Sequence, residues 1–259
     1  MRIICGIHRS RKILGPREGD RTTRPILDRV KQALFDRLWA AGVFPLADEE
    51  GLIVPQGNVV DVFSGTGSLG LEALSRGSDH CTFIERDSYA VNALKQNLAT
   101  LGLADQATVL ATDALAGVWL GLLPKRPVRV VFLDPPYDVM QPAQTAARTP
   151  RDMAEEEAEV VVEGFESEEA YYAQEERERR RPAKKKGRRE SAALPSGPSQ
   201  EQRVWDLIAS IASAPGVMEP QGLLVLRVPE GVAPRTVAGW EPPVPHVYGK
   251  MSLLFYRKG

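Results

Sequence analysis

One ten-residue run, Asp61-Val62-Phe63-Ser64-Gly65-Thr66-Gly67-Ser68-Leu69-Gly70, constrains this chain more than any other. It closes a short apolar stretch at 58–63, places three glycines within six residues, and opens a second apolar stretch at 69–76 that Gly77 stops. A strand, a tight turn and a helix start follow one another directly. Glycine in such a turn lets the backbone approach a ligand closely and adopt conformations closed to other residues. The spacing Gly65/Gly67/Gly70 also fits a dinucleotide fingerprint or a plain strand-to-helix turn. The run therefore points to a ligand beyond a strand end and leaves open which ligand.

Flanking patterns extend this unit into a sheet. Residues 26–40 place Leu27, Val30, Leu34 and Leu38 on one helical face, with Gly42 as a stop signal. A strand is expected at 80–84, ending at Glu85. Asp87 can cap a following helix that carries Ala90, Val91, Leu94, Leu98 and Leu101 and ends at Gly102. Further strands are expected at 107–111, 128–133, 222–228 and 252–256, with a helix at 204–212. Strands alternating with helices, most of them apolar throughout, predict an α/β fold with a largely parallel sheet covered on both faces. Ligands of such sheets bind beyond the carboxyl ends of the strands.

Acidic residues mark those ends. Asp61 offers a carboxylate suited to a cationic amino-acid group, where a pyrophosphate would be repelled. Phe63, Ser64, Gly65 and Gly67 supply the turn around the ligand. Glu85 can accept from two ribose hydroxyls, a role common to NAD and S-adenosylmethionine enzymes. Asp113 can receive an adenine amino group or stand as a solvated loop acid.

The discriminating feature is Asp134-Pro135-Pro136-Tyr137 at the end of the fourth apolar strand. Two prolines fix the backbone and remove two donors, so carbonyl oxygens there can face a ligand without competing N–H groups. An exocyclic base amine is a weak nucleophile because its lone pair is conjugated with the ring. The Asp134 carboxylate and the Pro135 carbonyl, accepting its hydrogens, would free that lone pair for attack on a sulfonium methyl. Tyr137 would stack on the base, a contact of roughly 1–3 kcal/mol.

Charge is uneven along a chain of formal net charge −1. Residues 1–31 hold nine Lys/Arg against three acids, a basic arm suited to a polyanion or simply to water. Composition breaks at about 141 and recovers near 203. The first half of this insertion is acidic, and residues 177–189 hold nine basic residues opposed only by Glu178. Such blocks bury too little apolar surface to offset chain entropy. Cys5 and Cys81 lack neighbours in metal-ligand spacing, so neither a disulfide framework nor a metal site is expected. No apolar run reaches membrane-spanning length, and a cytoplasmic protein away from the membrane is expected.

Four stretches together resemble the RsmD family of small-subunit (16S) ribosomal RNA guanine-N2 methyltransferases. They are Met1-Arg2-Ile3-Ile4-Cys5-Gly6 with Arg9, Arg11 and Lys12; Arg24-Pro25 with Asp28-Arg29-Val30 and Leu34-Phe35; 61–77; and 134–137. The resemblance implies a Rossmann-like class I S-adenosylmethionine-dependent methyltransferase fold with a seven-stranded, mostly parallel sheet and an antiparallel last strand. It implies S-adenosylmethionine as cofactor and ribosomal RNA, or an assembling small subunit, as partner of a monomer. It also implies that residues 1–42 form an arm and helix over the cofactor, with Asp28 near it and Arg9, Arg11, Lys12, Arg24 and Arg29 toward RNA. Asp28 and Arg29 serve equally well as first-turn helix residues. Residues 43–259 then form the methyltransferase domain, interrupted at about 141–203. Thr22-Thr23 precede Arg24-Pro25 where the family carries Thr or Ser after the proline, and the insertion behind Tyr137 is a second departure. Three rivals stand beside this reading: an adenine-N6 or cytosine-N4 DNA methyltransferase with the same Pro-Pro-Tyr chemistry, an NAD-dependent oxidoreductase, and a noncatalytic RNA-binding protein.

Overall fold

The computed structural model describes residues 1–17, 26–43, 57–140 and 198–259, all within one compact unit. Arg24 and the charged blocks of the insertion lie outside the described residues. In chain order the elements are α1 (Asp28–Ala40), β1 (Asn58–Val62), α2 (Ser68–Ser75), β2 (His80–Ile84), α3 (Ser88–Leu101), β3 (Ala107–Leu110), α4 (Trp119–Leu122), β4 (Val128–Leu133), α5 (Gln200–Ser213), β5 (Met218–Pro229), β6 (Val244–Tyr248) and β7 (Met251–Arg257).

The strands form one seven-stranded sheet in the order β3-β2-β1-β4-β5-β7-β6. β1 to β5 run parallel, and β7 is antiparallel to both β5 and β6. This is the class I methyltransferase arrangement. Every residue of β2 and all but the first of β1 are buried, as strands covered on both faces require. α1, α2 and α3 contribute Leu34, Phe35, Leu71, Leu74 and Leu94 to the core on one face. α5, with Val204, Ile208 and Ile211, joins Trp119 and Trp240 on the other. α2 lies so close to β2 that a Cβ on Gly70 would stand 2.3 Å from the Phe83 ring and 2.6 Å from Cys81 Sγ.

Two departures from the sequence expectation have local causes. α5 begins at Gln200 rather than at 204, because Ser199 Oγ accepts from the Gln202 N–H at 3.1 Å and caps the helix. β6 is not visible in the apolar pattern at all. It contains Pro245 and exposes Val244 and Val247, and it is tolerated as a strand because it is an edge paired only with β7.

Residues 1–14 make a compact arm tied to α1, α2 and α3 by buried polar groups. Ile3 and Ser10 donate backbone N–H bonds across it to Arg11 and Ile3. Glu72 of α2, wholly buried, accepts from the Ile4 N–H at 2.8 Å, the Cys5 N–H at 2.9 Å and Arg76 Nε at 2.9 Å, with Lys31 Nζ of α1 at 3.5 Å. Lys31 in turn donates to the Arg2 carbonyl at 2.8 Å and reaches Ser68 Oγ at 3.3 Å. Asn97 of α3 accepts from the Leu14 N–H at 2.7 Å and donates to the Thr66 carbonyl at 3.0 Å. The arm is thereby fixed against α2 and the glycine turn.

Candidate active site

Parallel register sets the site. Val62 pairs with Ile84 and Leu133, Ile84 with Leu110, and Leu133 with Leu226. The next residue on each of the four strands β1, β2, β4 and β5 is Phe63, Glu85, Asp134 or Arg227, so these fall in one row at the carboxyl ends. Beyond that row opens a cleft of about 420 Å³, within the size range of small-molecule and cofactor sites. Asp61, Phe63, Ser64, Gly65, Glu85, Asp113 and the whole run Asp134 to Tyr137 line it. The glycine turn and the acidic Pro-Pro corner thus share one pocket.

The turn runs through left-handed backbone, a strain for Phe63 but open to glycine. Phe63 has φ 61°, Gly65 φ 53° and Gly67 φ 92°. The Gly65 N–H donates to Glu85 Oε2 at 2.9 Å, and Oε1 of the same carboxylate accepts from the Arg86 and Asp87 N–H groups, both at 2.8 Å. Three backbone donors therefore orient Glu85, and Oε2 keeps acceptor capacity for a ligand hydroxyl. Ser64 Oγ is buried without a hydrogen-bond partner among the described residues and lines the cleft. Such an orphan fits a wall completed by a polar ligand.

Asp61 is buried, and its Oδ2 accepts from the Gly70 N–H at 2.8 Å. Burial pushes its carboxyl up from 3.8 to about 8, opposed by the Gly70 bond and reinforced by the charges of Asp134 and Glu85. A carboxyl raised in the folded state stabilises the fold fully below its unfolded value, and that contribution disappears as pH rises through about 8. At about 1.4 kcal/mol per pH unit, the acid weakens the ligand-free protein by an amount on the order of a few kcal/mol at alkaline pH. A buried ionisable group kept at such a cost belongs to function more naturally than to folding.

Asp134 follows β4, and its N–H donates to the Val62 carbonyl at 3.2 Å. Burial raises its carboxyl, and the adjacent Arg227 guanidinium opposes the shift. Arg227 Nε donates to Asp134 Oδ1 at 2.5 Å, and its guanidinium lies 5.6 Å from the centre of the Tyr137 ring. The Pro136 and Tyr137 carbonyls accept from the Val139 and Met140 N–H groups. Among the described residues no backbone N–H donates to the Pro135 carbonyl.

Several predicted residues fall elsewhere. Gly67 is the N-cap of α2 and faces the core, where a Cβ would stand 2.5 Å from Leu94 Cδ1, so it shapes the turn without lining the cleft. Asp28 lies outside the lining and pairs with Arg2 at 2.9 Å. Arg9, Arg11, Lys12 and Arg29 are exposed and also outside it. Asp113 uses Oδ1 to accept from the Leu115 N–H, while Oδ2 lies 3.8 Å from Arg86 and 3.9 Å from Arg203. Sequence reasoning missed Arg227, Arg203 and Arg17, which stacks over Tyr89 at 4.6 Å. Arg227 had a signal, a charge inside an apolar strand, which demands a buried partner.

Residues 1–193 match the family model described as conserved hypothetical protein 95. The chain is 39% identical over 143 residues to "Ribosomal RNA small subunit methyltransferase D" of Haemophilus influenzae, covering 53% of this chain and 64% of that protein. It is 36% identical over 137 residues to "Putative rRNA methyltransferase YlbH" of Bacillus subtilis, covering 53% of this chain and 67% of the relative. Among solved structures, "Putative methyltransferase yhhF" of Escherichia coli superposes with TM-score 0.58 at 24% identity, covering 100% of this chain and 97% of the other. That likeness is one of fold.

Proposed function

Because the chain belongs to the family of conserved hypothetical protein 95, the RsmD family of ribosomal RNA methyltransferases, we propose that it transfers a methyl group from S-adenosylmethionine to the exocyclic N2 amine of a guanine in small-subunit ribosomal RNA. The observation that carries this reading is the shared cleft, with the glycine turn on β1 and Asp134-Pro135-Pro136-Tyr137 on β4 at the same end of adjacent parallel strands. No feature of the cleft favours a DNA base over an RNA one, and the named relatives are ribosomal RNA enzymes.

Asp61 and Ser64 would hold the amino-acid end of the cofactor, Glu85 its ribose and Asp113 its adenine. Bound there, S-adenosylmethionine supplies an electrophilic methyl group carried on a sulfonium. The protein supplies position. Asp134 Oδ2 and the Pro135 carbonyl accept the two hydrogens of the amine and turn its lone pair out of conjugation, and Asp134 is placed to take the proton shed after methylation. Tyr137 stacks on a base that has left its helix. The exposed basic residues Arg9, Arg11, Lys12 and Arg29, together with Arg24, would contact phosphates. The arm at 1–42 would cover the cofactor, as Met1 on the cleft wall suggests.

The deciding experiment is mass spectrometry of ribosomal RNA nucleosides from cells with and without this protein. Loss of N2-methylguanosine at one small-subunit position is the expected result, and an unchanged nucleoside profile overturns the reading. A second expectation concerns protons. Cofactor binding at neutral pH should release up to one proton from Asp61, because the ligand's cation favours the carboxylate that burial had kept protonated to about pH 8. Calorimetry in buffers of different ionisation enthalpy reads this directly. Release should fade above pH 8 and vanish in Asp61→Asn; buffer-independent heats at pH 7 would remove Asp61 from the cofactor site.

A further inference from the structure

We propose that Arg227 is a positioning residue for methyl transfer, fastening Asp134 and Tyr137 to each other from the neighbouring strand so that the acid meets the target amine in one orientation. The inference rests on the reading of Asp134 given above. It starts from register: Leu133 pairs with Leu226 across β4 and β5, so Asp134 and Arg227 are the next residues on adjacent parallel strands. Arg227 is buried. A guanidinium in a strand covered on both faces is costly where an apolar residue would pack as well.

The geometry shows what is obtained in return. Arg227 Nε takes Asp134 Oδ1 and leaves Oδ2 for the amine, while the same guanidinium lies by the Tyr137 ring at 5.6 Å. One side chain thereby sets both groups that would hold the base. Electrostatics act in the same direction. The acids facing Asp134 are Asp61 of β1 and, behind it, Glu85 of β2. Arg203 of α5 also lines the cleft and lies 3.9 Å from Asp113. Among the described residues Arg227 is the cation in contact with Asp134, and its charge favours the ionised carboxylate against burial.

The test compares the full-length wild type with Arg227→Met and Arg227→Lys. Asp134 is titrated by carboxyl carbon NMR, assigned with Asp134→Asn. Methyl transfer to ribosomal RNA from cells lacking the protein is followed against pH, and S-adenosylmethionine affinity is measured by calorimetry. In Arg227→Met the Asp134 titration should move up by about one pH unit or more. The acid limb of kcat should move with it, and kcat at pH 7 should fall ~10-fold or more, with cofactor affinity and KM for RNA little changed. Arg227→Lys, which keeps the charge, should recover most of the titration and part of kcat. An unmoved Asp134 titration in both variants, or a kcat loss uniform across pH, overturns the proposal. Should the wild type transfer no methyl group to the RNA, the functional reading fails, while the carboxyl titration still decides whether Arg227 governs Asp134.

Discussion

Asp134→Asn is expected to lower methyl transfer by roughly 10²-fold or more while S-adenosylmethionine still binds. Asn keeps the shape and one acceptor oxygen, so the loss measures charge and orientation rather than volume. In the wild type Oδ1 is engaged by Arg227 and the carboxylate has a second oxygen to offer. In the variant the amide has one oxygen for two tasks, and its NH2 group can only donate. Arg227 also loses the anion that balances it inside the fold. Cofactor binding should survive, because the groups proposed to hold the cofactor lie on β1, β2 and the loop after β3. Single-turnover transfer with a labelled methyl donor, set beside calorimetric cofactor affinity, separates the two effects. Unchanged turnover would reject Asp134 as the residue that grips the amine.

Glu72→Ala should cost the protein about 3–5 kcal/mol, the range for removing one partner of a buried ionic network. Glu72 is wholly buried, and its loss takes the carboxylate from beside Lys31 and Arg76 and the acceptor from the Ile4 and Cys5 N–H groups at once. Against a total stability of about 5–15 kcal/mol, that is a large share. Glu72→Gln should recover only part of it, since one acceptor becomes an NH2 group facing other donors. Urea denaturation gives the magnitude, and hydrogen exchange at the Ile4 and Cys5 amides shows whether the arm detaches first. A loss below about 1 kcal/mol, the scale of an exposed pair, would mean that Glu72 does not hold the arm. Met1, Pro16 and Arg17 line the cleft, so an arm set loose should also weaken cofactor binding.

What was legible in the sequence was local. The strand, turn and helix at 58–77 and the run 134–137 announce themselves within a few residues, through glycine conformations, apolar runs and adjacent prolines. Asp87 capping α3 through the Ala90 N–H at 2.8 Å is the same kind of signal. β6 escaped because Pro245 contradicts a strand everywhere except at a sheet edge, and being an edge is a property of the sheet.

The sequence by itself determined the fold class, the two motifs that line the cleft, and the acids at the strand ends. Only the tertiary structure decided that Arg227 meets Asp134 across 93 residues of chain, that Glu72 gathers the arm from 67 and 68 residues away, and that Gly67 faces the core while Gly65 faces the cleft. The reason is physical. Propensity and periodicity act along the chain over a few residues, whereas the partner of a buried charge is fixed by strand register and helix packing, which exist only once the sheet has formed.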